Sequence, residues 1–104
     1  MGGKLYFVYI LASKPRGVLY TGFTGNLSLR TNQHKEGAKD GFSKRYWVKR
    51  LVYYELSGDP ISGIRREKQL KKWNRNWKIQ LIEKHNPRWI DLYGDGGILP
   101  LPIE

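Results

Sequence analysis

Two side chains able to act on an anion, Arg30 and His34, stand four residues apart in a segment with helical character. On a helix they share one face with Leu27 and Thr31, because residues three and four positions apart lie side by side. This spacing is typical of the face that packs against a core, yet only Leu27 of the four is apolar. Burying an uncompensated charge there would be costly. The pattern therefore predicts an arginine and a histidine at the edge of a cleft, facing an anion.

The same four residues also fit a purely structural arrangement. Arg30 would then pair with a carboxylate, and His34 would lie at the surface of the helix. The spacing by itself favours neither interpretation.

Glu67 raises a similar question on a second predicted helix, where it interrupts an apolar arc. The arc comprises, at helical spacing, Ile61, Ile64, Leu70 and Trp73. An ordinary ion pair with Lys71, four residues later, would explain the carboxylate. The alternative is that Glu67 faces a pocket and binds a hard cation, since Mg²⁺ often takes only one or two protein carboxylates and completes its shell with water and phosphate oxygens.

Three strands and a first helix are predicted to position these groups. The apolar run 5–11 is typical of a central strand covered on both faces, and the proline and glycine of 14–17 form a turn into a second strand at 18–22. Asn26 is a good N-cap for a helix that ends near residue 37. A third strand is predicted over 51–56.

Two further helices and an irregular C-terminal segment complete the prediction. Asp59 followed by Pro60 is a favoured helix start, and this helix runs to about Trp73. A last helix covers 77–84, after a break near Asn74 and Asn76. Three glycines and two prolines between residues 94 and 104 predict an irregular tail.

Composition excludes several classes of protein. The chain has 104 residues, enough for one domain, and no cysteine, which rules out a disulfide framework, a zinc knuckle and a thiol nucleophile. Its longest apolar run is far too short to span a membrane, so we expect a soluble, cytoplasmic protein with no membrane partner. The 19 Lys and Arg against 9 Asp and Glu leave a net charge of +10, which favours a polyanionic partner such as nucleic acid.

One set of residues carries a resemblance to a known family. Its members are Phe7-Val8-Tyr9, Tyr20-Thr21-Gly22, Asn26-Leu27, Arg30 ten positions after Tyr20, His34, and Glu67. Together they resemble the motifs of the GIY-YIG nuclease superfamily, in particular its small, stand-alone bacterial members. The resemblance covers roughly residues 5–92, which predicts a nuclease-like domain at 1–93 and an irregular tail at 94–104.

The resemblance implies an α+β fold with a three-stranded antiparallel sheet flanked by helices. It also implies a metal-dependent DNA endonuclease that hydrolyses phosphodiester bonds with one divalent ion, Mg²⁺ or Mn²⁺. Tyr9 and Tyr20 match the motif tyrosines, one of which would activate or position the attacking water. Arg30 would hold the scissile phosphate, His34 would assist proton transfer or phosphate binding, and Glu67 would be the metal ligand.

Elementary chemistry supports these implied roles. Phosphoryl transfer develops charge on phosphate oxygens, and the planar fork of an arginine matches two of them. A tyrosine, with an ordinary pKa of about 10, is a poor base at neutral pH unless a nearby cation stabilises the phenolate. Aromatic residues are also favoured on strands for packing alone, so each tyrosine has a structural explanation as well.

Three positions depart from the family pattern. Phe7 replaces the glycine of the first motif, Thr21 replaces the isoleucine of the second, and Phe23 stands where some relatives carry a lysine. The first two changes remove no reactive group, whereas Phe23 leaves out an ammonium, which bears on rate more than on mechanism. Family members also carry an asparagine after the glutamate, for which Asn86 is the candidate, unless it only ends a helix before Pro87.

A strongly basic stretch with interleaved tryptophans favours contact with a nucleic-acid backbone. Its cations are Arg65, Arg66, Lys68, Lys71, Lys72, Arg75 and Lys78. We interpret Trp73, Trp77 and Trp89 as core residues, although an indole can also stack on an exposed base. A second basic group in the middle connection includes Lys44 and Arg45.

Two other classes of function remain open from the sequence. One is a DNA- or RNA-binding module of the same fold without turnover, and the other is a protein-interaction domain. Because no helix offers an evident register for reading bases, a nuclease of this kind would select branched, nicked or single-stranded structures. The sequence is silent on the oligomeric state.

Overall fold

A three-stranded antiparallel sheet forms the centre of the structure, a computed structural model that describes residues 4–37 and 46–103. The central strand is β1 (Tyr6–Ala12), with β2 (Leu19–Thr24) on one side and β3 (Arg50–Ser57) on the other. The α+β class and the antiparallel three-stranded sheet are therefore confirmed. The first strand begins and ends one residue later than predicted, the second begins one residue later and ends two residues later, and the third is longer by one residue at each end.

Three helices flank the sheet. They are α1 (Leu27–Lys35), α2 (Pro60–Lys72) and α3 (Arg75–His85). Each begins at a polar N-cap whose side chain accepts a backbone N–H, and the caps are Asn26, Asp59 and Asn74. The last helix therefore starts before its predicted position, with Asn76 inside it. No helix among the described residues is long and apolar enough to cross a bilayer.

The two faces of the sheet belong to two separate cores. Side chains alternate along a strand, so Tyr9 and Leu11 of β1 point to one face and Ile10 to the other. The first face packs with Leu27 of α1, and the second with Ile82 of α3. A helix thus covers each side of the strand that carries the first motif.

Helix α2 turns a different face to the sheet from the one that periodicity predicts. Ile61 and Ile64 are 68% and 39% exposed, whereas Gly63 and Leu70 are buried. The cause is Phe23 of β2, whose ring lies against Gly63 so closely that a Cβ would overlap it. The predicted apolar arc was therefore wrong for Ile61 and Ile64. Glu67 lies between Gly63 and Leu70 at helical spacing, so it is on the side of α2 that faces the sheet.

The β1–β2 turn is held by the last helix. Arg75 donates hydrogen bonds to the carbonyls of Arg16 and Gly17, and Arg16 forms a bidentate ion pair with Glu83. Hydrogen bonds from Arg16, and then from the Trp89 indole, hold the pKa of Glu83 below its usual range. These contacts tie α3 to the hairpin that carries both motif tyrosines.

The segment after α3 packs back onto the molecule. Two short strands, β4 (Tyr93–Gly94) and β5 (Gly97–Ile98), form a hairpin. Beyond it, the Tyr54 hydroxyl donates to the Leu99 carbonyl, and Ile103 exchanges hydrogen bonds with His85. The remainder of this segment has no regular secondary structure.

The tryptophans are not a single class of core residue. Trp89 is buried, as expected, but Trp73 is half-buried and Trp77 is mostly exposed. The prediction of a core position was therefore wrong for Trp77.

Candidate active site

The best-defined feature of the candidate site is a buried hydrogen bond between β1 and α1. The Tyr9 hydroxyl and His34 Nε2 are 3.1 Å apart, and both residues are 0% exposed. The imidazole ring packs edge-on against the phenol ring. Because neither side chain reaches solvent, neither contacts a phosphate directly in this conformation, and the surface position considered for His34 is wrong.

Gly22 makes room for this hydrogen bond. It lies directly opposite Tyr9 on β2, and the Tyr9 ring extends across it toward α1. A Cβ at position 22 would overlap Cζ and the hydroxyl oxygen of Tyr9, and it would lie 2.9 Å from Cε1. The glycine of the second motif is therefore required by the tyrosine of the first.

We expect Gly22→Ala to destabilise the protein by about 1–3 kcal/mol, because an added methyl forces the Tyr9 ring out of a filled core. The Tyr9–His34 hydrogen bond should be lost with it. Chemical denaturation measures the free energy of unfolding, and a histidine side-chain NMR resonance reports the hydrogen bond.

Gly58→Ala is the matched control for this substitution. No atom lies within 4 Å of a Cβ built at position 58, so its effect should be small. A Gly22→Ala protein as stable as Gly58→Ala would contradict the proposed packing of Tyr9 over Gly22.

Tyr20 brings the second motif to the same cluster. Its ring centroid lies 5.1 Å from that of His34 and 6.4 Å from that of Tyr9. Unlike the other two residues, Tyr20 is only half-buried, on the edge strand β2. Of the two motif tyrosines, Tyr20 is therefore the one with access to solvent.

Arg30 lies on α1, one turn before His34, and reaches the edge strand. Its Nη1 donates to the Phe23 carbonyl at 3.4 Å, and the side chain is partly exposed. No acidic residue within 4–37 or 46–103 forms an ion pair with it. The structural interpretation of Arg30 requires a carboxylate partner, and none of the described residues supplies one.

Glu67 comes from the opposite side of the sheet. Its helix α2 packs on the face to which Phe23 points, whereas Tyr9 and Tyr20 point to the α1 face. The carboxylate is only 17% exposed and lies 3.0 Å from Nζ of Lys71, which is 52% exposed. The ion-pair interpretation of Glu67 therefore describes the observed contact.

The donors for a metal ion are few. Within the described ranges, no three His, Asp or Glu side chains come together. A single carboxylate is compatible with Mg²⁺, which fills its remaining positions with water and substrate phosphate. The fit therefore rests on Glu67 exchanging Lys71 for the ion, and the Lys71 side chain, at 52% exposed, can turn toward solvent when it does so.

Asn86, the candidate for the family asparagine, has a structural position. It is fully buried at the end of α3, where its amide donates to the carbonyls of Val52 and Ile90 and accepts from the Ile90 N–H. These contacts join α3 to β3. They account for the residue by packing and hydrogen bonding alone.

The predicted cations fall into three groups. Exposed side chains without a described structural role are Arg65, Lys68 and Lys72. Arg66 is engaged by Glu55 and Gln69, Lys71 by Glu67, and Arg75 by the β1–β2 turn. Lys44 and Arg45 lie outside the described residues.

Positive potential is concentrated where α2 meets α3. Burial lowers the pKa of Lys78, and the neighbouring charges of Arg75 and Lys71 lower it further. Like charges held this close favour an anionic partner that would relieve their repulsion.

Two residues that complete the site were not among the candidates from sequence. Gly22 accommodates Tyr9, and Phe23 contributes the carbonyl that Arg30 contacts and the ring that sets the face of α2. A glycine inside a predicted strand is a signal of close approach, and this signal was available for Gly22.

Several known proteins are similar to this chain in sequence, and one solved structure is similar in fold. Residues 5–80 match the model of the GIY-YIG catalytic domain. A UPF0213 protein of Syntrophus aciditrophicus is 44% identical over 85 residues, which span 78% of this chain and 92% of the relative. A UPF0213 protein of Clostridium perfringens is 38% identical over 76 residues, or 73% of this chain and 81% of the relative.

A solved structure gives the same result for the fold. The solution NMR structure of a UPF0213 protein from Bacillus halodurans superimposes with a TM-score of 0.53 and 25% identity. The match covers 84% of this chain and 92% of that chain. With a catalytic-domain model that spans the tyrosine cluster, Arg30 and Glu67, this chain belongs to the GIY-YIG family.

Proposed function

We propose that this protein is a metal-dependent DNA endonuclease that hydrolyses phosphodiester bonds and acts in the cytoplasm. The observation that carries the proposal is the position of Arg30. A partly exposed guanidinium without an acidic partner among the described residues lies one turn from a buried Tyr9–His34 hydrogen bond. The net charge of +10 supports an anionic substrate.

Arg30 is the residue proposed to bind the scissile phosphate. The guanidinium can donate to two phosphate oxygens at once and offset the charge that develops on them as the water oxygen bonds to phosphorus. Its contact with Phe23 limits the directions in which the side chain can point. That restriction favours one orientation of the phosphate at the β2 edge.

Tyr20 is the tyrosine proposed to meet the attacking water. As that oxygen bonds to phosphorus and loses a proton, the bond from phosphorus to one ester oxygen breaks and the leaving oxygen gains a proton. The partly exposed Tyr20 hydroxyl can orient the water by accepting a hydrogen bond from it. We assign this role to Tyr20 rather than to Tyr9 because Tyr9 is fully buried.

Tyr9 and His34 are proposed as positioning residues. Their hydrogen bond joins the central strand to α1, the helix that carries Arg30. The His34 ring also packs beside Tyr20. Both groups thus act through their neighbours, without contact with the substrate.

Glu67, which lies across the sheet from Tyr20, is the residue proposed to hold the divalent ion. The substrate phosphate would then lie at the β2 edge, where Phe23 contacts both Gly63 of α2 and Arg30 of α1. When bound, Mg²⁺ or Mn²⁺ would supply a Lewis acid for the charge on the phosphate oxygens. Lys71, released from Glu67, would then be available to a backbone phosphate, beside Arg65, Lys68 and Lys72.

Metal removal tests the proposal directly. We expect labelled branched, nicked or single-stranded DNA to be cleaved with Mg²⁺ or Mn²⁺ and to stay intact with excess chelator, since the ion carries part of the transition-state charge. Gel electrophoresis of the products measures the cleavage. Equal cleavage with chelator present would contradict the assignment.

A non-catalytic DNA- or RNA-binding module is the second candidate. The ion pair of Glu67 with Lys71 and the burial of Tyr9 and His34 favour it, because these are arrangements of a stable fold as well. Salt-dependent nucleic-acid binding without cleavage of any substrate would support this candidate. Binding that is indifferent to salt would instead indicate a protein partner.

A further inference from the structure

Two tryptophans form an exposed corner where α2 ends and α3 begins. The rings of Trp73 and Trp77 are almost perpendicular, at 89°, with centroids 5.8 Å apart. Trp77 is 53% exposed, which leaves a large apolar surface in water. The exposure costs free energy that a bound ligand would recover.

The corner opens onto a cavity of about 330 Å³. Its lining consists of Trp73, Trp77, Gln80, Leu81 and Lys84. The two indoles and Leu81 give an apolar wall, whereas Gln80 offers an amide donor and acceptor and Lys84 a positive charge. A volume of this size is at the lower end for small-molecule pockets, of about 300–1,000 Å³.

The corner is held in place by contacts on both sides. The Arg66 guanidinium lies over the Trp73 ring, 5.2 Å from its centroid, and is itself bonded to Glu55 of β3. The backbone N–H of Trp77 donates to the side-chain oxygen of the cap residue Asn74. The Trp73 ring and the Trp77 backbone are therefore each held by a neighbouring residue, and binding would require little ordering of the chain.

We propose that this corner binds one unpaired nucleobase of a single-stranded nucleic acid. A planar base can stack on one indole and place its edge against the other, with the Gln80 amide within the same cavity. Stacking accepts any base, since each has a π-face. Lys84, which lines the cavity, provides charge for an adjoining phosphate.

Charge complementarity favours a nucleic acid over other partners. The protein carries a net charge of +10, and near this helix start burial, followed by the charges of Arg75 and Lys71, lowers the pKa of Lys78. An anionic chain relieves this repulsion while its base covers the indoles. The inference goes beyond the proposed cleavage, because the corner can bind a base whether or not the protein hydrolyses DNA.

The test is equilibrium binding in chelator, so that cleavage does not enter. We expect Trp77→Ala to weaken binding of a labelled single-stranded thymidine oligonucleotide about 10-fold, the loss typical of one stacked base. Affinity for a duplex of the same length should change much less. Trp77→Phe, which keeps an aromatic face, should recover most of the single-strand affinity.

Ile61→Ala is the control, because Ile61 is an exposed apolar residue of α2 that does not line the corner. Equal losses for single-stranded and duplex DNA in Trp77→Ala, or no loss at all, would overturn the proposal. A dimer in the parent that disappears in Trp77→Ala on sedimentation would assign the corner to a second copy and overturn it too. Circular dichroism of each variant verifies that the fold is retained.

Discussion

Arg30→Ala should lower the rate of DNA cleavage by about 10²–10³-fold, the loss typical of removing one group that stabilises transition-state charge. Within residues 4–37 and 46–103, the polar contact of its guanidinium is one long hydrogen bond to the Phe23 carbonyl. The variant should therefore remain folded. Single-turnover cleavage with saturating protein measures the chemical step apart from DNA affinity.

Arg30→Lys separates the charge of this residue from its geometry. Lysine retains the positive charge but cannot donate to two phosphate oxygens from one planar group, so we expect only partial recovery of the rate. Arg88→Ala is the matched control. It removes the same charge from the protein, and Arg88 is exposed in the loop after α3. A rate for Arg30→Ala equal to that of Arg88→Ala would remove Arg30 from the mechanism.

Glu67→Gln should reduce Mg²⁺-dependent cleavage by a similar factor of about 10²–10³ or more, because it removes the one carboxylate proposed to hold the ion. The amide has nearly the same shape, so the packing of α2 should be preserved. Loss of the ion pair with Lys71 should change the free energy of unfolding by less than about 1 kcal/mol. Cleavage rates across a Mg²⁺ titration measure the effect.

Two further variants separate metal binding by Glu67 from the effects of its ion pair and its charge. Lys71→Ala breaks the same ion pair but frees the carboxylate, so half-maximal cleavage should require less Mg²⁺. Glu36→Gln removes an exposed negative charge beyond α1 and serves as the charge control. If Glu67→Gln cleaved DNA as fast as Glu36→Gln at every Mg²⁺ concentration, Glu67 would have only the structural role that its ion pair suggests.

Local chemistry made most of the secondary structure predictable. The turn at 14–17 follows from the preferences of Pro15 and Gly17, and the caps at Asn26 and Asp59 follow from side chains that accept a backbone N–H. Each of these signals operates over three or four residues. They can therefore be recognised in the sequence without knowledge of the rest of the fold.

The orientation of α2 could not be predicted in the same way. Periodicity assigned Ile61 and Ile64 to the buried side because it ranks side chains by their own polarity. The helix instead approaches the sheet through Gly63, whose missing side chain admits the Phe23 ring. This preference depends on a residue about 40 positions earlier, which no local pattern contains.

The histidine shows the same limit within the candidate site. The sequence correctly indicated that Thr31 and His34 lie on the packed face of α1, but the anion expected opposite them could not be located. In the structure, His34 Nε2 instead lies within hydrogen-bonding distance of the Tyr9 hydroxyl. Only Arg30, nearer the edge of the sheet, is left in a position to meet an anion.

The sequence by itself determined the family, the three antiparallel strands and the short list of groups able to act on a phosphate, because motif spacing and capping are properties of neighbouring residues. The tertiary structure decided which of those groups reach solvent. It buried Tyr9 and His34, left Tyr20 and Arg30 at the edge, paired Glu67 with Lys71 and exposed Trp77. Burial and pairing depend on contacts between segments distant in sequence, and those contacts exist only once the sheet and its helices have packed.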